Sequence, residues 1–248
     1  KLLRRSISVV ACNKIAASSD FARYSWLKDL AREYSANFLF ETNVGAGLPV
    51  INTLNDLLRS GDRVNRIEAV LSGTLNFVFN NYDGTRKFAE VVRQAQDEGY
   101  TEPDPRLDLS GTDVARKILI LAREAGYQME MSDIENTGFL PASCLEGTVE
   151  DFYRELDANE AHFRELLDEA TSDGKTLKYI AAFRDGKASV GLQTIGPDHN
   201  FANLSGKDNA VLFYTSRYSE QPLVIKGAGA GADVTAAGVF ADIIRAAR

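Results

Sequence analysis

The spacing of apolar residues changes several times along the chain, and each change predicts an element. Ser6–Ala11 (SISVVA) is a short β-branched run that reads as a buried strand. Phe21, Tyr24, Leu27, Leu30 and Ala31 then recur near helical spacing over Phe21–Tyr34, and Asn37–Glu41 (NFLFE) reads as a second strand. Strand, helix, strand over so short a stretch is a βαβ unit, which implies parallel pairing. Val50–Leu58 predicts a helix, Val64–Ser72 an extended stretch, and Leu75–Tyr82 and Lys87–Glu98 two further helices, with Gly99 placed to end the second. Thr112–Ala125 carries the most regular helical pattern and stops at Gly126; Glu160–Ala170 is another helix. Leu177–Arg184 and Ala188–Ile195 alternate on either side of Asp185-Gly186, a hairpin signature. Ala210–Tyr214 and Leu223–Lys226 read as strands, and Val234–Arg248 as a C-terminal helix. The pattern is therefore α/β: an α+β block with a mixed sheet covered by helices, bracketed by a βα unit at one end and a glycine loop plus helix at the other.

Composition narrows the partners. A net charge of -7 argues against nucleic acid, because phosphate recognition needs clustered Lys and Arg. No apolar run is long enough to span a membrane, and no signal peptide is visible. Cys12 and Cys144 fit neither a zinc spacing nor a disulfide framework, so both are expected to be reduced, buried thiols in a cytoplasmic protein. His162, on a polar helix face, and His199, in a turn, are expected to be solvated.

Gly99–Lys117 (GYTEPDPRLDLSGTDVARK) concentrates the chemistry. Glu102, Asp104, Asp108 and Asp113 lie close in sequence to Arg106, Arg116 and Lys117, and Pro103 and Pro105 stiffen the loop. Asp113 and Lys117 are four apart on the predicted helix and share a face. Spacing alone equally describes a solvated ion pair beside a turn. Lys117 precedes ILIL, however, which places it near the apolar face, and burial lowers a lysine's pKa towards values suited to proton transfer. The second glycine loop, GAGAGA at Gly227–Ala232, lacks the Lys-Ser/Thr ending of a P-loop, and no βαβ unit can follow it before the chain ends.

The same nineteen residues closely resemble the signature of homoserine dehydrogenases. CNK (Cys12–Lys14), ETNVGAGLP (Glu41–Pro49), SGTLNFVF (Ser72–Phe79) and GAGAGADVTAAGV (Gly227–Val239) resemble further segments of that family in the same order. The resemblance implies reversible reduction of L-aspartate 4-semialdehyde to L-homoserine by NADPH or NADH, in threonine, methionine and isoleucine biosynthesis. It implies Lys117 as proton donor and Lys14 as a second lysine near substrate and nicotinamide. It implies Glu102 and Asp113 as substrate binders with Asp108 beside them, and Gly99 and Gly231 as points where backbone approaches the cofactor. It also implies a bound monovalent cation, sodium, held by the Glu41 carboxylate and the carbonyls of Val44, Ala46 and Leu48, since hard cations prefer oxygen ligands. A homodimer is expected, with residues 1–40 as part of a nucleotide-binding domain, 41–226 as the catalytic and dimerisation domain, and 227–248 returning to the nucleotide-binding side.

The family's GxGxxG loop is not in this sequence, and the chain opens inside a layered pattern without Met. The expectation is a fragment of a truncated Rossmann-type unit plus catalytic domain, inactive alone. The ILILARE run resembles bifunctional aspartokinase–homoserine dehydrogenases, which would place an aspartokinase upstream. The alternative is a non-catalytic dimerisation scaffold of such an enzyme.

Overall fold

The computed structural model describes residues 1–247; Arg248, the end of the predicted C-terminal helix, lies outside them. A small parallel unit comes first. Strand β1 (Val9–Val10) pairs with β2 (Phe38–Leu39) across helix α1 (Phe21–Glu33), as the strand–helix–strand pattern predicts. The first strand is shorter than Ser6–Ala11, and its two residues are only half-buried. Helix α2 (Val50–Arg59) follows the Glu41–Pro49 loop.

A six-stranded mixed sheet forms the centre. Its strands are β3 (Val64–Val70), β4 (Ile134–Thr137), β5 (Thr176–Arg184), β6 (Lys187–Ile195), β7 (Asn209–Thr215) and β8 (Leu223–Gly227), in the spatial order β4-β6-β5-β3-β7-β8. Only β4 and β6 run parallel; the other pairs are antiparallel. The β5–β6 hairpin turns at Asp185 (φ 52) and Gly186 (φ 77), the left-handed pair that an Asp-Gly turn supplies.

Leu177 to Ala181 of β5 are all buried, where the sequence suggests alternation. Both faces of the sheet are covered there. On one side Leu177, Tyr179, Ala181 and Phe183 join the main core with Ile118 and Leu119 of helix α6 (Thr112–Glu124). On the other, Ile180 joins a smaller core of Val70, Ile195, Phe201, Leu204, Ala210 and Leu212 beneath the 196–208 loop.

Helix α3 (Gly73–Asn81) begins directly after β3, with the Ser72 hydroxyl accepting from Leu75 N at 3.1 Å. Helix α4 (Phe88–Asp97) ends before Gly99, at φ 72. The Pro-rich segment is not wholly a loop: Arg106–Leu109 forms the short helix α5. Gly111 then starts α6 at φ 69 and lies so close to the Tyr179 hydroxyl that a Cβ has no room. Helices α7 (Val149–Ala158) and α8 (Glu160–Ser172) follow, and α9 (Ala232–Ala246) returns to pack against β1.

Three expectations are corrected. Cys144 is buried, but Cys12 is exposed because it lies just past the end of the two-residue β1. His162 is half-buried and its Nε2 lies 2.9 Å from the Phe139 carbonyl oxygen. His199 is also half-buried: its Nδ1 accepts from Phe201 N at 3.2 Å and its Nε2 lies 3.6 Å from Glu68. Neither histidine is simply solvated, because each fastens a turn to the element beneath it.

Candidate active site

The ends of β3 and β8, the start of α3 and the α4–α6 segment meet at one cavity of about 300 Å³. It is lined by Ser72, Gly73, Thr74, Gly99, Tyr100, Asp108, Asp113, Lys117, Lys207 and the Ala228–Gly231 loop. At its floor the first turns of α6 carry an ion-paired triad. Asp113 Oδ2 lies 2.8 Å from Lys117 Nζ, and Asp113 Oδ1 lies 3.1 Å from Lys14 Nζ. Lys14 arrives from the loop past the carboxyl end of β1, the position from which parallel strands present ligand-binding residues.

Lys117 has a side chain only 13% exposed and also donates to the Leu71 carbonyl at 2.7 Å. Two of its three N–H groups are thus engaged, and among the described residues no protein atom takes the third. Burial pulls its pKa below the ordinary lysine value, Asp113 pulls it partly back up, and Lys14 adds to the depression. Burial pushes the Asp113 carboxyl up, but the charges of Lys117 and Lys14 outweigh it and hold the group below its ordinary value. The floor therefore holds an ionised carboxylate between two lysines, one of which releases its proton unusually readily.

Asp108 stands further up the wall. It accepts from Glu102 N at 2.8 Å and from the Thr74 hydroxyl at 3.4 Å, and no cation lies within 4.0 Å among the described residues. Burial raises its pKa first, and the charges of Glu102 and Asp113 raise it further. Glu102 itself is exposed, so its side chain does not line the cavity; its backbone N–H is what reaches Asp108. Arg106, within the same segment, faces away from this chemistry: it clamps Asp104 at 2.7 Å and the Gly147 carbonyl at 2.9 Å.

Gly99 and Gly231 border the cavity with φ of 72 and 121, and a Cβ at either would meet nothing within 4 Å. Glycine is required there by backbone conformation, and open space lies in front of both. Gly229 differs, because it is pressed against the Asn209 side chain, whose amide has no partner among the described residues. Thr74, Tyr100 and Lys207 are lining residues that the sequence reading did not single out. Thr74 is held by a 2.5 Å bond from its hydroxyl to the Tyr100 carbonyl, a tie between segments distant in sequence that no local spacing reveals.

Glu41 sits elsewhere, past the carboxyl end of β2. Its carboxylate accepts Ile51 N at 2.6 Å and Asn52 N at 2.9 Å, which caps the start of α2. Burial is the main force pushing its pKa up. The loop after it turns through Gly45 (φ 76) and Ala46 (φ 52), and among the described residues nothing donates to the carbonyls of buried Val44 and Ala46. Leu48 O accepts from Val50 N at 2.8 Å. The Glu41 carboxylate, which also accepts from Asn52 Nδ2, and the carbonyls of Val44, Ala46 and Leu48 are all oxygen donors of the kind a hard cation takes, but the carboxylate is already engaged by α2. The glycines serve packing as well: Gly47 abuts Val234, and Gly238 abuts Thr42, so the loop and α9 meet backbone to backbone.

No helix among the described residues is long and apolar enough to cross a membrane. A homoserine dehydrogenase family model matches residues 49–244. The chain is 46% identical to a Zea mays bifunctional aspartokinase/homoserine dehydrogenase 2, chloroplastic, over 99% of this chain and 27% of the relative. It is 42% identical to the homoserine dehydrogenase of Paracoccidioides brasiliensis, over 98% of this chain and 68% of the relative. A Candida auris protein of unknown function superposes with a TM-score of 0.93 at 41% identity, over 98% of this chain and 70% of that one. A hyperthermophilic archaeal homoserine dehydrogenase in complex with NADPH superposes with a TM-score of 0.74 at 28% identity, over 99% and 65%. The chain thus spans about a quarter of the bifunctional relative's length, at 27%, and about two thirds of the monofunctional one's, at 68%. With the family model covering residues 49–244 and a homoserine dehydrogenase 42% identical over 68% of its own length, the chain belongs to the homoserine dehydrogenase family.

Proposed function

We propose that this chain carries the substrate-binding and proton-transfer part of an enzyme that reduces L-aspartate 4-semialdehyde to L-homoserine with NADPH or NADH. The observation that carries the reading is Lys117: a buried ammonium fixed by Asp113 and the Leu71 carbonyl, with its third N–H unclaimed at the wall of a cavity. The nicotinamide, when bound, supplies the hydride. As negative charge grows on the aldehyde oxygen, the third N–H of Lys117 stabilises it and delivers its proton, leaving neutral lysine. A depressed pKa favours that transfer, and Asp113 keeps the group charged until it occurs. In the reverse direction neutral Lys117 takes the hydroxyl proton of homoserine. Lys14 shares Asp113 and adds positive charge at the same end. Asp108 presents its carboxylate to the substrate's ammonium group, and Glu102, whose side chain lies outside the cavity lining, orients Asp108 through its backbone N–H.

The Gly99 and Gly231 backbones, open in front, are our candidates for contact with the nicotinamide side of the cofactor. Glu41, Val44, Ala46 and Leu48 are our candidate ligands for a monovalent cation such as sodium, bracing the loop beneath α9. We assign 41–226 to a catalytic and dimerisation domain and 1–40 with 227–248 to the nucleotide-binding side, a division supported by the packing of α9 on β1. A homodimer is supported by the β7–β8 edge of the sheet, where Val224 is exposed and Tyr214 only half-buried. An upstream aspartokinase is supported by the bifunctional relatives, and a cytoplasmic setting by the unpaired thiols.

The test is Lys117→Ala in the full-length protein. Turnover is expected to fall by about 10²–10⁴-fold with the fold intact by circular dichroism. Unchanged turnover would favour the competing reading, a dimerisation scaffold.

A further inference from the structure

The cavity holds one anion and one cation that the protein leaves unpaired. Among the described residues Asp108 has no cation within 4.0 Å; Lys207 has no carboxylate within that distance and no hydrogen-bond partner, although its charge reaches the Glu98 carboxylate. Lys14 and Lys117, by contrast, both serve Asp113 at the floor. A substrate that is a zwitterion at one end and an aldehyde at the other would find complements for all three groups.

Lys207 is exposed but not free to wander. Its neighbours on both sides are bolted to α3 and β5. Lys178 Nζ donates to the Leu204 carbonyl at 2.7 Å, and Asn80 Nδ2 donates to the carbonyls of Leu204 and Gly206 at 3.1 and 3.0 Å. Asn76 Nδ2 donates to the carbonyls of Gly206 and Asp208 at 3.2 and 3.1 Å. The Lys207 backbone rests on Gly73, where a Cβ would lie 3.0 Å from the Lys207 carbonyl oxygen. Its ammonium sits 4.5 Å from the centre of the Tyr100 ring, a cation–π contact that inclines the side chain over the cavity wall.

We propose that Lys207 binds the α-carboxylate of the amino-acid substrate in the cavity it lines with Asp108, and so selects for substrates that carry one. This rests on the function proposed above and adds the residue that recognises the substrate's acid group. Lys207 takes no part in proton transfer: Lys117 and Lys14 are bound to Asp113, whereas Lys207 lies against Gly73 and the Tyr100 ring.

Calorimetric binding to the full-length protein, with the oxidised cofactor present, tests it with two probes. L-Homoserine carries the carboxylate; 3-aminopropan-1-ol is the same molecule without it. Lys207→Gln is expected to weaken L-homoserine binding about fivefold, the upper range for an exposed ion pair. It should leave 3-aminopropan-1-ol binding unchanged, and Lys207→Arg should retain most of the L-homoserine affinity. In turnover, Lys207→Gln should raise KM for the semialdehyde with kcat preserved. Equal weakening of both probes would mean that Lys207 acts only by shaping its loop, and would overturn the proposal; so would no change in either. Failure of the parent reading looks different: the unaltered protein would then bind neither probe, and the carboxylate assignment would fall with it.

Discussion

Lys117 and Lys178 are both largely enclosed, and they are enclosed differently. Lys117 on α6 keeps 13% of its side chain exposed, has a carboxylate at 2.8 Å and leaves one N–H towards a cavity. Lys178 on β5 is 2% exposed and is ringed by neutral oxygens: Asn76 Oδ1 at 3.1 Å, Asn80 Oδ1 at 2.5 Å and the Leu204 carbonyl at 2.7 Å. All three of its N–H groups are used, and burial together with the charge of Lys226 pushes its pKa down to about 8. Depressed basicity is therefore common to both and separates nothing. What separates them is an unused donor facing open space. Lys117 has one and is suited to chemistry; Lys178 has none and fastens the loop that carries Lys207.

The contrast breaks first on activity. Lys117→Ala should lose about 10²–10⁴-fold in turnover with a smaller loss of stability than Lys178→Ala, while Lys178→Ala should keep turnover per folded molecule within about threefold. The next effect is on stability and runs the other way. Lys178→Ala takes the donor from buried Asn76 Oδ1 and from Asn80 Oδ1, leaves the Leu204 carbonyl with Asn80 Nδ2 alone and opens a cavity, a loss of about 3 kcal/mol in the unfolding free energy measured by urea. Similar losses in stability for both variants would dissolve the distinction.

A smaller effect is visible in pH. Lys178 titrates near pH 8 in the folded chain against an ordinary value of 10.5. Between those values the unfolded chain binds a proton that the folded chain has released, so stability rises with pH across that window and levels off above it. The rise attributable to Lys178 is about 3 kcal/mol, read as the difference between the unaltered protein and Lys178→Met. A flat difference would mean that the three oxygens hold the ammonium fully charged.

Legibility from sequence follows the same division. Elements with strong periodicity are readable: α1, α2, α4, α6, α8 and the β5–β6 hairpin all lie within a few residues of their expected bounds. Strand β4 is not, because only Ile134 of its four residues is buried and pairing with β6 alone makes it a strand. Helix α7 carries a legible start signal outside those elements, the Thr148–Asp151 capping box before Phe152, Tyr153 and Leu156. At the site, the pairing of Asp113 with Lys117 is local and follows from helical spacing, whereas the pairing with Lys14 joins residues far apart in sequence and required the family resemblance. Lys178 looks like an outward-facing strand residue in TLKYIAAFR, and Lys207 like an ordinary loop lysine. Their roles depend on α3 lying beside the start of β5, which is a tertiary fact.

The central claim is that Lys117, held by Asp113, gives its proton to the substrate oxygen. The most direct measurement is the pH dependence of kcat/KM for semialdehyde reduction, in the unaltered protein and in Asp113→Asn. A donor must be protonated, so the rate should fall as pH rises through the pKa of Lys117, with the limb below the ordinary lysine value of 10.5. Asp113 raises that pKa, so Asp113→Asn should move the limb to lower pH. A limb that stays in place when Asp113 is neutralised, or no alkaline limb at all, would contradict the assignment.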